Sequence, residues 1–295
     1  MDDIPLTLFD PRAGDSALSL APLAIEAGEA VVSRTNRFSL TRVQEGRGQY
    51  FADDAKFGFK SPCLLFSTPY QPVRIAAETS LAGEVIEFHA NFFCIETYHE
   101  EVGCNGVLFN DVYGAPVVGL EAGEEGELTA LIASMRQELL DAGLAHSEVL
   151  VSYLKIILVR ATRLKLDQQP AQWSPQPRRP ALIDELKELI ETQFRTQHRP
   201  AEYAEQLHTT PKTLARLTKQ HLGKTLTELI RDRLLRQAKW ELLHTRKPVK
   251  QIALELGYRD VFYFSRVFKQ ATGCSPTFFR DYETEIRGGR NLSMP

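Results

Sequence analysis

The second half of the chain repeats hydrophobic residues at intervals of three and four, which is the spacing of amphipathic helices. In the first such segment the apolar positions include Leu182, Leu186 and Ile190. Gly223 and Gly273 each follow a segment and provide a helix stop. The pattern predicts helices over 181–195, 201–208, 211–222, 225–244, 248–256, 261–272 and 276–285.

The first half has a different pattern, in which short apolar and β-branched clusters alternate with residues that favour turns. We predict turns at 45–48 and 53–54. Many short strands joined by turns are typical of a β-sandwich or a small barrel. The predicted strands cover 30–33, 38–43, 63–67, 73–77 and 83–95.

Two further helices, predicted over 124–141 and 146–166, follow these strands, and Gly143 separates them. Along the second helix, apolar residues alternate in steps of four and three, as they do in a coiled coil. This seam can pack on the strands of its own domain or form a dimer contact, and the sequence leaves both readings open. The seam consists of Leu150, Leu154, Ile157, Ala161 and Leu164.

A proline-rich linker over 168–180 separates the two halves, since its prolines exclude a continuous helix. The net charge changes sign at the same place. Residues 1–170 hold 13 Lys and Arg against 24 Asp and Glu, a net charge of −11, whereas residues 171–295 hold 22 against 14, a net charge of +8. A basic half joined to an acidic half indicates a polyanionic partner for the basic half.

Length and composition fit this division. A chain of 295 residues, 43% hydrophobic and 25% charged, is typical of a folded protein with about two domains. No apolar run approaches the roughly 20 residues that a membrane helix needs, and the first ten residues do not resemble a secretory signal. We therefore expect a cytoplasmic protein without a membrane partner, in which four cysteines do not form a disulfide framework.

A helix, a tight turn and a second, basic helix occur twice, over 201–223 and 249–273. Each first helix has a small residue at its middle, Ala204 or Ala253, which lets the second helix cross it closely. The helix between the copies is long enough to span about 30 Å, close to the distance between successive major grooves on one face of DNA. The pattern predicts two helix-turn-helix units that address adjacent grooves.

The stretch from Ala181 to Tyr282 resembles the DNA-binding domain of the AraC/XylS family of bacterial transcription regulators. The second copy carries the most specific part, Leu256-Gly257-Tyr258 and the run Phe264 to Lys269. One departure stands out, because Thr218 occupies the position at which family members usually have an aromatic residue. The remaining matching positions are Ile252, Ala253, Gly273, Cys274, Ser275, Pro276, Phe279, Arg280, Arg233, Leu234, Gln237, Ala238 and Lys239.

The resemblance, with the patterns above, implies a multidomain α and β protein whose β region is a cupin-like barrel. It implies a sequence-specific, effector-responsive activator that binds double-stranded DNA as a homodimer and contacts RNA polymerase, with an unknown small-molecule effector and no cofactor. The expected divisions are a cupin-like effector-sensing domain over 1–122, a helical packing or dimerisation segment over 123–168, the linker over 169–180, an AraC-type DNA-binding domain over 181–287 and a tail over 288–295.

Equivalent arginines in the two recognition helices, Arg216 and Arg266, are expected to bind guanine edges or phosphates. Phe262 either contacts a thymine methyl group or packs in the core with Phe264 and Phe268. Cations near helix ends are expected to contact phosphates. The full set of predicted DNA-binding residues is Lys212, Ala215, Arg216, Lys219, Lys224, Arg259, Phe262, Ser265, Arg266, Lys269 and Arg280.

Enzyme chemistry and metal binding have little support in the sequence. His89, Cys94, His99 and Cys104 are spaced by five, which does not resemble the close ligand pairs of structural zinc sites. Packing cysteines are the favoured interpretation over a thiol sensor, and the sequence leaves a redox role of Cys94 and Cys104 open. Residues 1–88 contain no histidine, and no phosphate-binding loop, dinucleotide fingerprint or nucleophile elbow occurs. We therefore predict no metal, no catalytic residues and no enzymatic activity.

Overall fold

The computed structural model describes residues 5–10, 15–53, 55–90, 92–93, 107–109, 111–168 and 181–286. The chain divides into two compact units. The first comprises Met1–Asp111 and Ala115–Ala171, and the second comprises Val112–Gly114 and Gln172–Pro295.

The first unit contains two antiparallel β-sheets. The six-stranded sheet has the order β1-β2-β9-β4-β7-β10, and the four-stranded sheet has the order β3-β8-β5-β6. The strands are β1 (Leu6–Asp10), β2 (Asp15–Ile25), β3 (Ala30–Ser33), β4 (Phe38–Glu45), β5 (Arg47–Ala52), β6 (Ala55–Lys60), β7 (Cys63–Ser67), β8 (Val73–Ala77), β9 (Leu81–Phe88) and β10 (Val117–Gly119).

Alternating side chains of the six-stranded sheet enter two separate cores, because successive residues of a strand point to opposite faces. On one face, Val43 and Leu65 pack with Tyr50 and Ile75 of the smaller sheet. On the other face, strand residues such as Leu40 pack against two helices, α1 (Ala122–Asp141) and α2 (His146–Gln168). The larger sheet is therefore the middle of three layers.

The β region differs from the predicted barrel. Among the described strands no hydrogen-bonded ladder joins the two sheets, so the described residues form stacked open sheets. The predicted strand over 83–95 ends at Phe88. β5 starts at Arg47 and so runs through part of the turn predicted over 45–48, whereas Asp53 lies in a turn as predicted.

The seam on α2 packs inside its own unit, which answers a question that the sequence left open. Leu150, Leu154, Ile157 and Ala161 are fully buried in the core that α1 and α2 share with the larger sheet. The exposed side of α2, where Ile156 lies, is not part of this core.

A buried arginine ties α1 to the larger sheet. Arg42 on β4 is fully buried, and its guanidinium binds Glu84 on β9 at 3.1 Å. The same group binds Glu125 and Thr129 on α1. Because a buried charge is costly unless it is paired, these partners fix how α1 lies across the sheet.

The second unit is helical, as the periodicity predicted. Thr210 begins one helix by accepting a hydrogen bond from the Thr213 backbone N–H, and Asp260 caps another in the same way at Phe262. Gly223 and Gly273 end these two helices with positive φ angles of 71° and 86°. The helices are α3 (Ala181–Gln193), α4 (Pro200–Gln206), α5 (Pro211–Leu222), α6 (Leu226–His244), α7 (Val249–Glu255), α8 (Val261–Thr272) and α9 (Pro276–Ile286).

Candidate nucleic-acid interface

The first helix-turn-helix unit consists of α4, a short turn and α5. Ala204 on α4 is buried, as close crossing of α5 requires, and Leu214 is buried on the inner face of α5. The Tyr203 hydroxyl donates a hydrogen bond to the Gln197 carbonyl at 2.9 Å, which anchors α4 to the preceding loop. These contacts leave the opposite face of α5 open to solvent.

Thr218 lies in the core of this first unit and is fully buried. Its hydroxyl donates to the Ala215 carbonyl of its own helix at 3.2 Å, so the buried polar group is satisfied locally. Its counterpart in the second unit is Phe268, fifty residues further along the chain. A threonine fills less volume than a phenylalanine, so this position contributes less apolar packing in the first helix-turn-helix unit.

The second unit consists of α7, a turn at Gly257 and α8, and its core is aromatic. The Phe268 ring lies 6.0 Å from Phe264 and 5.5 Å from Phe279 on α9, measured between centroids. Tyr258 packs 5.2 Å from Phe264, and burial raises the pKa of its phenol to about 12. Edge-to-face ring contacts of this kind hold α8 in one orientation.

The exposed face of α5 is basic. Lys212, Ala215, Arg216 and Lys219 are all solvent-exposed. Their spacing of three and four places them on one side of the helix. The Arg216 guanidinium reaches Gln220 at 3.4 Å, one turn further along the same surface.

The exposed face of α8 combines cations with aromatic rings. Arg266 and Lys269 are exposed, and Phe262 is 76% exposed, which shows that its core-packing alternative is wrong. Tyr263, which sequence reasoning missed, is 53% exposed, with the Arg266 guanidinium 5.9 Å from its ring centroid. The Ser265 hydroxyl is half-buried and donates to the Val261 carbonyl at 2.8 Å.

Two of the cations predicted to contact phosphates have protein partners in the structure. Lys224 is only 9% exposed, and its ammonium binds the Asp232 carboxylate at 2.7 Å. Arg280 is half-buried, and its guanidinium donates to the carbonyls of Leu242 at 3.1 Å and Lys247 at 2.7 Å. Position near a helix end was a poor guide here, because both long side chains turn inward to satisfy buried partners.

Arg259 is exposed in the turn before α8, where a phosphate contact stays a prediction. The exposed residues on α5 and α8 share a common register. Arg266 lies fifty residues after Arg216, and Lys269 lies fifty residues after Lys219. Two helices therefore present equivalent cations from equivalent positions.

The candidate metal ligands of the compact unit that contains the β-sheets fall largely outside the described residues, since Cys94, His99 and Cys104 are not among them. His89 is buried. Within the described ranges, no three His, Cys, Asp or Glu side chains come together as a metal site. Burial raises the pKa of the Cys63 thiol to about 12. No helix in the described part of the chain is long and apolar enough to cross a membrane.

Comparison with known proteins finds similarity to transcription regulators. Residues 203–282 match a family model described as a helix-turn-helix domain. The chain is 25% identical over 248 residues to the uncharacterized HTH-type transcriptional regulator YfiF of Bacillus subtilis, covering 82% of this chain and 76% of that protein. It is 39% identical over 80 residues to the arabinose operon regulatory protein of Escherichia coli, covering 27% of each chain.

A solved structure, the C-terminal domain of the response regulator AraT from Geobacillus stearothermophilus, is 30% identical. The match covers 38% of this chain and 88% of that domain, with a TM-score of 0.34.

Proposed function

Since the chain belongs to the AraC/XylS family of DNA-binding transcription regulators, we propose that α5 and α8 enter two successive major grooves on one face of an operator. The chain is a regulator and not an enzyme. One observation carries the two-groove proposal: Arg216 and Arg266 are both exposed, at equivalent positions of equivalent helices.

The connecting helix supports the same arrangement. The 19 residues of α6 span about 28 Å at 1.5 Å per residue. One helical turn of DNA is about 34–36 Å long, so a rod of this length with a reading helix at each end matches neighbouring grooves. Lys212 and Lys219 on α5, with Arg259 and Lys269 around α8, would neutralise phosphates beside the base contacts.

The compact unit that contains the β-sheets is proposed to sense a small molecule and to regulate the helical unit. The core between its two sheets, lined by residues such as Tyr50 and Ile75, is the proposed effector site. A cupin-like relationship for this region is part of the same proposal. As an activator, the protein would contact RNA polymerase. We also propose a homodimer whose contact uses the exposed side of α2 around Ile156.

The experiment that tests the two-groove proposal uses the full chain. Repeated selection from a random duplex library of about 30 base pairs should enrich two sequence boxes centred one helical turn apart. Arg216→Ala should relax selection in one box and Arg266→Ala in the other, since each removes contacts in one groove. Arg34→Ala, an exposed arginine between β3 and β4, is the matched control and should leave both boxes intact.

Enrichment of a single box would contradict reading by both helices. Loss of both boxes in either arginine variant, with folding retained, would contradict the assignment of one box to each helix.

A further inference from the structure

A buried carboxylate lies at the junction of the two helix-turn-helix units. Glu241 on α6 is 4% exposed. One of its oxygens accepts hydrogen bonds from Arg195 at 3.4 Å and from Gln237 at 3.3 Å. The other oxygen accepts from the Lys247 ammonium at 3.1 Å. Arg195 follows α3, and Lys247 precedes α7, so this one side chain joins segments from both units.

The contacts continue in both directions. Toward the first helix-turn-helix unit, Arg233 donates to Gln237 at 3.2 Å and to Glu191 on α3 at 2.7 Å. Toward the second helix-turn-helix unit, Lys247 donates to Glu255 on α7 at 2.6 Å. Helix α3 packs against the recognition helix α5, and α7 packs against the recognition helix α8. An unbroken polar chain, from Glu191 to Glu255, therefore connects the supports of the two reading helices.

A close backbone approach lies beside this chain. Gly257, in the turn of the second unit, has a φ of 80°, and a Cβ atom there would lie 2.4 Å from the Arg195 carbonyl oxygen. The same Cβ would lie 2.8 Å from Cε1 of His198, whose ring packs 5.8 Å from Tyr258. The loop after α3 thus fits directly against the turn before α8, and no side chain can separate them.

Apolar packing alone does not fix an angle well, because hydrophobic burial is non-directional. Hydrogen bonds to a buried charge are directional, and such a charge is costly to leave unpaired. We propose that Glu241 is a positioning residue that fixes α8 relative to α5 and so sets the spacing of the two DNA boxes that the chain accepts. This inference rests on the two-groove proposal above.

Spacing is the property that this role predicts and that general stability does not. One base pair inserted between the boxes moves the second box by about 3.4 Å and rotates it by roughly 35°. A fixed junction cannot follow both changes, so one reading helix loses its base contacts. We expect the insertion to weaken binding of the unaltered chain roughly 30-fold.

The test compares that penalty among variants of the full chain, on the duplex obtained by selection and on the same duplex with one inserted base pair. Glu241→Leu fills the buried volume without the charge. Lys247→Met removes one cation from a partly exposed side of the junction. Glu78→Gln, at an exposed glutamate of the compact unit that contains the β-sheets, is the control and should keep the full penalty.

In both junction variants the insertion penalty should shrink to about threefold, binding to the selected duplex should weaken roughly tenfold, and binding to scrambled DNA should stay unchanged. An undiminished penalty in folded Glu241→Leu would overturn the inference, even if its Tm falls. If that variant does not fold, the penalty of Lys247→Met decides. Failure of the unaltered chain to select two boxes would instead refute the proposed function, and the inference with it.

Discussion

Replacing Arg266 with alanine should weaken operator binding by about 1–3 kcal/mol, a roughly 5- to 150-fold rise in Kd, if the side chain makes a bidentate guanine contact. The same change should hardly alter folding. Arg266 is exposed on α8, and within the described residues its recorded contact is the Tyr263 ring at 5.9 Å. Exposed substitutions of this kind usually change the free energy of unfolding by no more than about 0.5 kcal/mol.

The assay measures affinity by fluorescence anisotropy for the selected operator and for a scrambled duplex of equal length, each at two salt concentrations. Thermal unfolding of the same samples reports stability. A guanine contact predicts a loss on the operator alone and a relaxed preference at one base pair. A phosphate contact predicts equal losses on both duplexes, with a salt slope lower by about one.

Equal losses on operator and scrambled DNA would refute base reading by Arg266. Unchanged affinity for both would remove Arg266 from the interface altogether. Arg34→Ala is the control, because it removes the same charge from an exposed position between β3 and β4 of the other compact unit.

Three further predictions concern residues whose roles the structure defines. Arg280→Ala should lower the free energy of unfolding by about 1–3 kcal/mol, because it removes the hydrogen bonds to the carbonyls of Leu242 and Lys247. Thermal or urea unfolding measures this change. Lys224→Met should leave the salt slope of DNA binding unchanged while lowering Tm, since it leaves Asp232 without its bound ammonium; a slope lower by about one would restore its phosphate role. Burial raises the pKa of the Glu87 carboxyl, against the opposing effects of Arg37 and Thr35. The ionised form therefore lowers stability above the raised pKa, and the loss disappears below the ordinary carboxyl pKa. Glu87→Gln should raise Tm relative to the unaltered chain more near pH 7 than near pH 4, and a difference independent of pH would contradict this.

The helices of the second unit were predictable because their signals are local. Apolar spacing of three and four residues, a capping side chain at Asp260 and stops at Gly223 and Gly273 all act within one or two turns. Helices α5 and α8 have the predicted bounds, Pro211–Leu222 and Val261–Thr272.

The strands were harder to predict because part of the sheet lacks the alternation that marks a half-buried strand. β2 includes Pro22, and β5 begins Arg47-Gly48, both of which resemble turn signals. Gly48 has a structural reason to be glycine, since a Cβ there would lie 2.3 Å from the Ala76 carbonyl of the neighbouring strand. A close approach between strands is a tertiary fact that the local sequence does not reveal.

Exposure of long charged side chains was equally beyond local reasoning. Lys224 and Lys219 lie five residues apart, yet Lys219 is exposed and Lys224 is buried against Asp232 on the following helix. Which cations face solvent depends on where the next helix places its carboxylates. The seam of α2 shows the same limit, because periodicity identified the buried face but not the sheet that covers it.

The contrast between Thr218 and Phe268 suggests that different forces hold the two recognition helices. Around α8, packed rings from Phe264 to Phe279 supply apolar contact that salt does not weaken. Around α5 the smaller Thr218 leaves less apolar contact, and the neighbouring helix α3 is tied to α6 by the ion pair between Glu191 and Arg233. Glu191 is 39% exposed, so salt can screen that pair. Salt can also screen the partly exposed pair between Lys247 and Glu255 on α7. Because the rings around α8 keep their apolar contacts, rising salt should loosen the support of the first reading helix before that of the second, in addition to weakening phosphate contacts at both.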